Sequence, residues 1–227
     1  MRKRRKYPQL PDAAVSPSFL DAFRTIVSRI EASIRKAGNA RLSLPVRMYV
    51  AGGIAAHFYT AARTTRDVDA TLSHRMLFPE DLEASYRDTD GKARLLYFDR
   101  QYNDSFGLLH EDAHKDSIPF PVQGIDPKVI EVRLLSPVDL AVSKLSRFAD
   151  HDRDDIEALA ACGLLKSAEL RQRTEEAMRY YIGDPAPLRT SIAQACELIA
   201  GASGKPDGRA KTRGSGISRP LRRIVRP

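Results

Sequence analysis

The run Val46-Arg-Met-Tyr-Val50 is short, β-branched and aromatic, and it breaks at Gly52-Gly53 into Ile54 to Ala62, which has the period of a helix. Strand, glycine turn and helix in that order constrain this chain more than any other feature. The next segment, Asp67-Val-Asp-Ala-Thr-Leu72, alternates polar and apolar side chains as a half-buried strand does. At a period of two, Asp67 and Asp69 share one face and Val68 turns towards the core.

A strand that runs into two glycines and then a helix presents bare backbone N–H groups and a positive helix end, which suits a phosphate. Two carboxylates on one face repel each other unless a cation sits between them, and hard oxygen ligands select Mg²⁺ or Mn²⁺. With an NTP on the glycine turn, such a pair suits in-line displacement with loss of pyrophosphate. An isolated Asp-x-Asp is more often a solvated strand edge. The ordered series Gly52-Gly53, Arg63-Thr-Thr-Arg66 and Asp67-x-Asp69 favours the cation site here.

Apolar positions Leu20, Phe23, Ile26, Val27, Ile30 and Ile34 predict an amphipathic helix from Ser18, with Gly38 as its stop. A short helix is expected around Glu80 to Tyr86, then strands at Ala93 to Phe98 and Val129 to Leu135, separated by a polar segment with Pro119, Pro121 and Pro127. Ser136-Pro137-Val138-Asp139 reads as an N-cap, a proline in the first turn and a capping acid, opening a helical stretch to about Ala200 with breaks near Asp150, Gly163 and Gly183. The fold class is therefore α/β in the α+β sense, a mixed sheet with flanking helices followed by a helical C-terminal part. The expected organisation is a basic flexible arm over 1–18, a core over 19–135, a helical part over 136–200 and a basic disordered tail over 201–227.

The net charge of +8 looks like a nucleic-acid signal until it is located. Residues 1–6 carry five basic groups, and residues 201–227 carry eight against Asp207, so the remainder has a net charge of −4. The folded body is mildly acidic, and the two arms are what would attract RNA or DNA. Cys162 and Cys196 form no pairing pattern, no apolar run follows the basic start, and no stretch is long enough to span a bilayer. A cytoplasmic protein without membrane association is expected.

On Gly52-Gly53 followed by Asp67-x-Asp69, the sequence resembles the nucleotidyltransferase superfamily, the DNA polymerase β-like fold. Arg63-x-Thr65-x-Asp67-x-Asp69 is also similar to the minimal nucleotidyltransferases of the AbiEii toxin type and a related bacterial family of uncharacterised nucleotidyltransferases. Leu135-Ser-Pro-Val-Asp-Leu-Ala-Val-Ser-Lys144-Leu-Ser-Arg147 and Asp152-Arg-Asp-Asp155-Ile resemble the lysine motif and the basic, Asp-rich motif of those families. The resemblance implies catalytic roles for Asp67, Asp69, Lys144 and Asp152. It implies nucleotide binding by Gly52, Gly53, Thr65, Arg66, Lys144 and Asp155. Metal ligation would fall to Asp67 and Asp69 with a third carboxylate, for which Glu131 on a probable strand is favoured over Asp99. The activity implied is Mg²⁺- or Mn²⁺-dependent transfer of NMP from an NTP such as ATP to a hydroxyl of RNA, such as tRNA, or of protein. A toxin role with a cognate antitoxin is part of the same expectation.

Taken physically, Lys144 borders the apolar face made by Leu140, Ala141 and Phe148, so it either holds triphosphate oxygens or snorkels its amine to water. Asp152 and Asp155 either position that lysine or the nucleotide, or favour the next helix N-terminus. His110-Glu-Asp-Ala-His114 matches a zinc-protease pattern, yet Gly107, Asp116 and Pro119 crowd it and only His151 follows as a third ligand. A polar loop near the nucleotide site is expected there, and His57 is expected to pack inside its helix. The alternative from another class is a non-catalytic nucleic-acid-binding protein that keeps the fold and binds through its arms.

Overall fold

A computed structural model describes residues 15–37, 43–104 and 107–203. Most of the expected arms, 1–14 and 204–227, and the Gly38 stop lie outside the described residues. The first helix, α1 (Pro17–Ala37), begins with the Ser16 hydroxyl accepting the Phe19 N–H at 3.2 Å. It buries Phe19, Phe23, Ile26, Val27, Ile30 and Ile34; Leu20, expected on this face, is exposed, and Phe19 takes its place.

Strand β1 (Val46–Val50) buries Val46, Met48 and Val50 and runs into α2 (Gly52–Thr60), as the glycine pattern predicts. The expected strand over 67–72 is two strands, β2 (Asp67–Val68) and β3 (Ala70–Leu72), separated by Asp69. The break has a pairing cause. β3 lies antiparallel to β1, whereas β2 lies parallel to β5 (Ala93–Phe98), so the chain changes sheets at Asp69. The period of two survives the change, with Val68 and Ala70 buried and Asp67 and Asp69 turned the other way.

The helix expected around Glu80 to Tyr86 is instead strand β4 (Glu83–Arg87), antiparallel to β5. Leu82, Ala84 and Tyr86 sit at every second position, a spacing whose outer members are also one helical turn apart. Pairing with β5 decides between the two, leaving Glu83, Ser85 and Arg87 exposed. Two further strands, β6 (Ile118–Pro119) and β7 (Ile130–Leu134), complete sheets of order β3-β1-β7-β6 and β2-β5-β4. β7 runs parallel to β1, with Val46 opposite Ile130 and Arg47 opposite Glu131.

The helical part comprises α3 (Pro137–Lys144), α4 (Asp150–Ala161), α5 (Ser167–Met178) and α6 (Pro185–Ser203). The Ser136 cap is as expected, its hydroxyl oxygen accepting the Asp139 N–H at 3.2 Å. The Asp139 carboxylate, expected to cap, does other work. It is fully buried and takes two hydrogen bonds from Arg173 of α5, from Nε at 2.7 Å and Nη2 at 2.9 Å. The same Nη2 reaches Asp116 at 2.9 Å, so one buried guanidinium ties α5 to α3 and to the turn before β6. No helix among the described residues is long and apolar enough to cross a membrane.

Breaking a buried ion pair from one side strands the other charge, at a cost of about 3–5 kcal/mol. Arg173→Met should therefore lower stability by that order in chemical denaturation, and adding Asp139→Asn should restore part of it by removing the stranded carboxylate.

Candidate active site

The floor of the site is the β1–α2 turn. Ala51 is extended and donates its N–H to the Asp69 carbonyl at 2.8 Å, and Gly52 then takes a left-handed φ of 58°. A Cβ on Gly52 would land on the Asp69 carboxylate, and one on Gly53 would lie 2.9 Å from Arg63 Nη2 and 3.3 Å from Thr65 Oγ1. The two glycines thus open the turn to phosphate and also let three polar side chains close against it.

Asp67, Asp69, Asp99 and Asp104 line one wall of a cleft of about 560 Å³. Burial, then the charges of Asp67 and Asp99, push the Asp69 carboxyl up to about 6, against the opposing pull of Lys144 and Arg147. Thr65 donates its hydroxyl hydrogen bond to Asp67 Oδ1. Asp104 lies within 2.7 Å of His114 Nε2 and accepts from the Thr71 hydroxyl at 3.1 Å, and the His114 contact leads in holding its carboxyl below the usual range. The Tyr102 phenol is raised by burial and by Asp69 and Asp104.

The opposite wall is cationic and comes from the α3–α4 junction together with Arg63 from the loop between α2 and β2. Phe148, at a left-handed φ of 47°, makes the return between the helices. Lys144 is 5% exposed, with Nζ 2.7 Å from Asp155 Oδ2 and 3.4 Å from Asp152 Oδ1. Arg147 grips Asp152 with two bonds of 2.8 Å, and Arg63 grips Asp155 with two of 2.7 Å. Burial would raise the Asp152 carboxyl, but the Arg147 hydrogen bonds and the Lys144 charge override it and hold the group low. Three cations share two carboxylates, so this wall keeps one positive charge in surplus while facing four aspartates.

Of the residues expected at the site, Gly52, Gly53, Thr65, Asp67, Asp69, Lys144 and Asp152 line the cleft, and Asp155 lies buried behind Lys144. Two do not join them. Arg66 is exposed and outside the lining, because Thr65 and Asp67 take the inward positions on either side of it; Arg63 is the arginine at the cleft. Glu131 is drawn to the arginines beside it, Arg47 at 3.3 Å across the β1–β7 register and Arg133 at 2.5 Å. Asp99 stands in the cleft where Glu131 was expected. Arg63 and Arg147 belong to motifs visible in the sequence without an assigned role, whereas Tyr102 and Asp104 sit in an irregular loop with no signal of their own.

The zinc-protease pattern dissolves in three dimensions. Residues 111–116 form turns, His110 meets Glu176 at 3.2 Å, and His114 meets Asp104. His57 packs inside α2 with its ring centroid 4.6 Å from that of Phe19. Among the described residues no group of three or more His, Cys, Asp or Glu is arranged to hold a metal unaided. Mg²⁺ needs no such cage, since it is commonly held by one or two carboxylates together with substrate phosphates. Asp67 and Asp69, turned to one side of the chain with Asp99 in the same cleft, are carboxylates of the kind such an ion would need.

A model of the family described as nucleotidyltransferase of unknown function (DUF6036) matches residues 28–191, which include both walls and the floor of the cleft. The match bears on the nucleotidyltransferase assignment and not on the AbiEii-type likeness. No curated protein and no solved structure matches the chain.

A carboxyl raised from 3.8 to about 6 on folding favours the fold below pH 4 and loses that contribution as pH rises through 6. Without divalent ions, Asp69→Asn should be more stable than the wild type above pH 7, by on the order of 3 kcal/mol, and equal to it near pH 4. Thermal unfolding of the two proteins across that range measures the difference.

Proposed function

We propose, for a chain that belongs to this family of nucleotidyltransferases, a divalent-metal-dependent transfer of NMP from an NTP to an acceptor hydroxyl of RNA or protein. The observation that carries it is the opposition of the two walls: a cluster of aspartates around the buried Asp69 on one side, and Lys144, Arg147 and Arg63 with a surplus positive charge on the other, over a glycine floor. A metal-bound triphosphate matches both walls at once. RNA binding alone would not require a desolvated carboxylate at Asp69 beside Asp67 and Asp99, which repel a polyanion.

In this reading Asp67 and Asp69 would hold Mg²⁺ or Mn²⁺ beside the bound triphosphate. The ion, when bound, neutralises phosphate charge and eases ionisation of the attacking hydroxyl. Thr65 orients Asp67 through its hydrogen bond. Lys144, Arg147 and Arg63 receive the phosphates, and Asp152 and Asp155 keep those cations aimed at the cleft before the nucleotide arrives. Asp99 supplies the third carboxylate and accepts the acceptor proton. The acceptor oxygen forms its bond to the α-phosphorus as the α–β bridging oxygen leaves with pyrophosphate. A toxin role adds one requirement, that growth arrest on expression depends on Asp67 and Asp69.

The test is label transfer from each α-labelled NTP, with Mg²⁺ or Mn²⁺, to total bacterial RNA and protein. Asp67→Asn and Asp69→Asn should each lower transfer by about 10³-fold, and Lys144→Ala by about 10²-fold. Asp99→Asn should also impair it, and Glu131→Gln should leave it near wild type. Absence of transfer from every NTP by folded protein would refute the reading.

A further inference from the structure

On α5 and its C-cap, Arg171, Glu175, Met178 and Arg179 fall at helical spacing on one face, away from buried Leu170, Arg173, Thr174 and Ala177. Together with Arg189 and Ile192 of α6 they line a groove of about 690 Å³, outside the cleft already described. Its arginines differ from most others in the chain. Among the described residues, guanidinium groups are typically committed to a carboxylate or a carbonyl, as in Arg29, Arg35, Arg63, Arg100, Arg133, Arg147 and Arg173. Only Arg66, Arg75, Arg171, Arg179 and Arg189 make no ion pair or side-chain hydrogen bond with another described residue. Three of those five meet in this groove, with Glu175 as the one acid among its lining.

We propose that this groove binds the backbone of single-stranded RNA, the acceptor in the transfer reaction on which the proposal rests. Three guanidiniums in one groove repel each other until an anion joins them, and their planar forks match phosphate oxygens. The turn from α5 to α6, at one end of the groove, carries Tyr180 at 66% exposure and Ile182 fully exposed. Exposed aromatic surface beside a line of arginines is the combination that holds single strands, by base stacking together with phosphate contact. The groove is also linked to the cleft through the packing of α5. The opposite side of α5 is bonded by Arg173 to Asp139 of α3, the helix whose Ser143 and Lys144 line the cleft.

The test uses the full chain, fluorescent single-stranded RNA and a salt titration. The control variant Arg24→Ala/Arg75→Ala/Arg94→Ala removes the same charge elsewhere, and thermal unfolding confirms that both triple variants fold. Against it, Arg171→Ala/Arg179→Ala/Arg189→Ala should bind RNA at least about tenfold more weakly near physiological salt, with the slope of log affinity against log salt reduced by about 2. Equal affinity and slope in the two triple variants would overturn the proposal and point the groove towards a protein partner. The transfer reading is judged separately, by Asp67→Asn and Asp69→Asn in the label-transfer assay: loss of transfer with unchanged groove behaviour sinks only the groove, and groove-dependent binding without any transfer sinks only the chemistry.

Discussion

Everything at the cleft depends on where one carboxylate sits. Asp69 stands at the joint of two sheets, its carbonyl bonded to the Ala51 N–H and its carboxylate pressed against Gly52. That seat requires a residue without a side chain at position 52, a left-handed turn out of β1, and a strand that leaves one sheet and enters another at position 69. The outcome is an acid whose charge is disfavoured by burial and by Asp67 and Asp99. A site that keeps such a group folded stores a demand for positive charge, which the proposed divalent cation would meet.

The other wall solves the converse problem, keeping cations available in a buried place. A cation at 5% exposure needs ion-pair partners, and Asp155 and Asp152 provide them for Lys144. Those aspartates are in turn held by Arg63 and Arg147, which are more exposed and lie at the cleft. A triphosphate entering here needs to rearrange partners already in place rather than recruit side chains from solvent, which is the meaning of preorganisation in such a site.

Much of this was readable in the chain because it is local. The glycine turn, the shared face of Asp67 and Asp69 and the Ser136 cap depend on residues within a few positions of each other. What the sequence reading missed depends on pairing. The strand β4 needed β5 to distinguish period two from a helical turn, and the split at Asp69 needed two different partner strands. Glu131 was misplaced because its neighbour Arg47 is brought beside it by parallel strands far apart in sequence. Arg66 was preferred over Arg63 by motif position, when inward and outward alternation decides the matter. Asp104 and Tyr102 come from a loop, where neither period nor cap gives a signal.

The central claim is that the two walls hold one metal-bound triphosphate between them. Calorimetric titration with a non-hydrolysable NTP, with and without Mg²⁺, tests this without reference to any acceptor. The account predicts that Mg²⁺ strengthens NTP binding by about tenfold or more, that the gain vanishes in Asp67→Asn/Asp69→Asn, and that Lys144→Ala weakens binding at every Mg²⁺ concentration. Nucleotide binding that is indifferent to Mg²⁺ and to all three residues would contradict it.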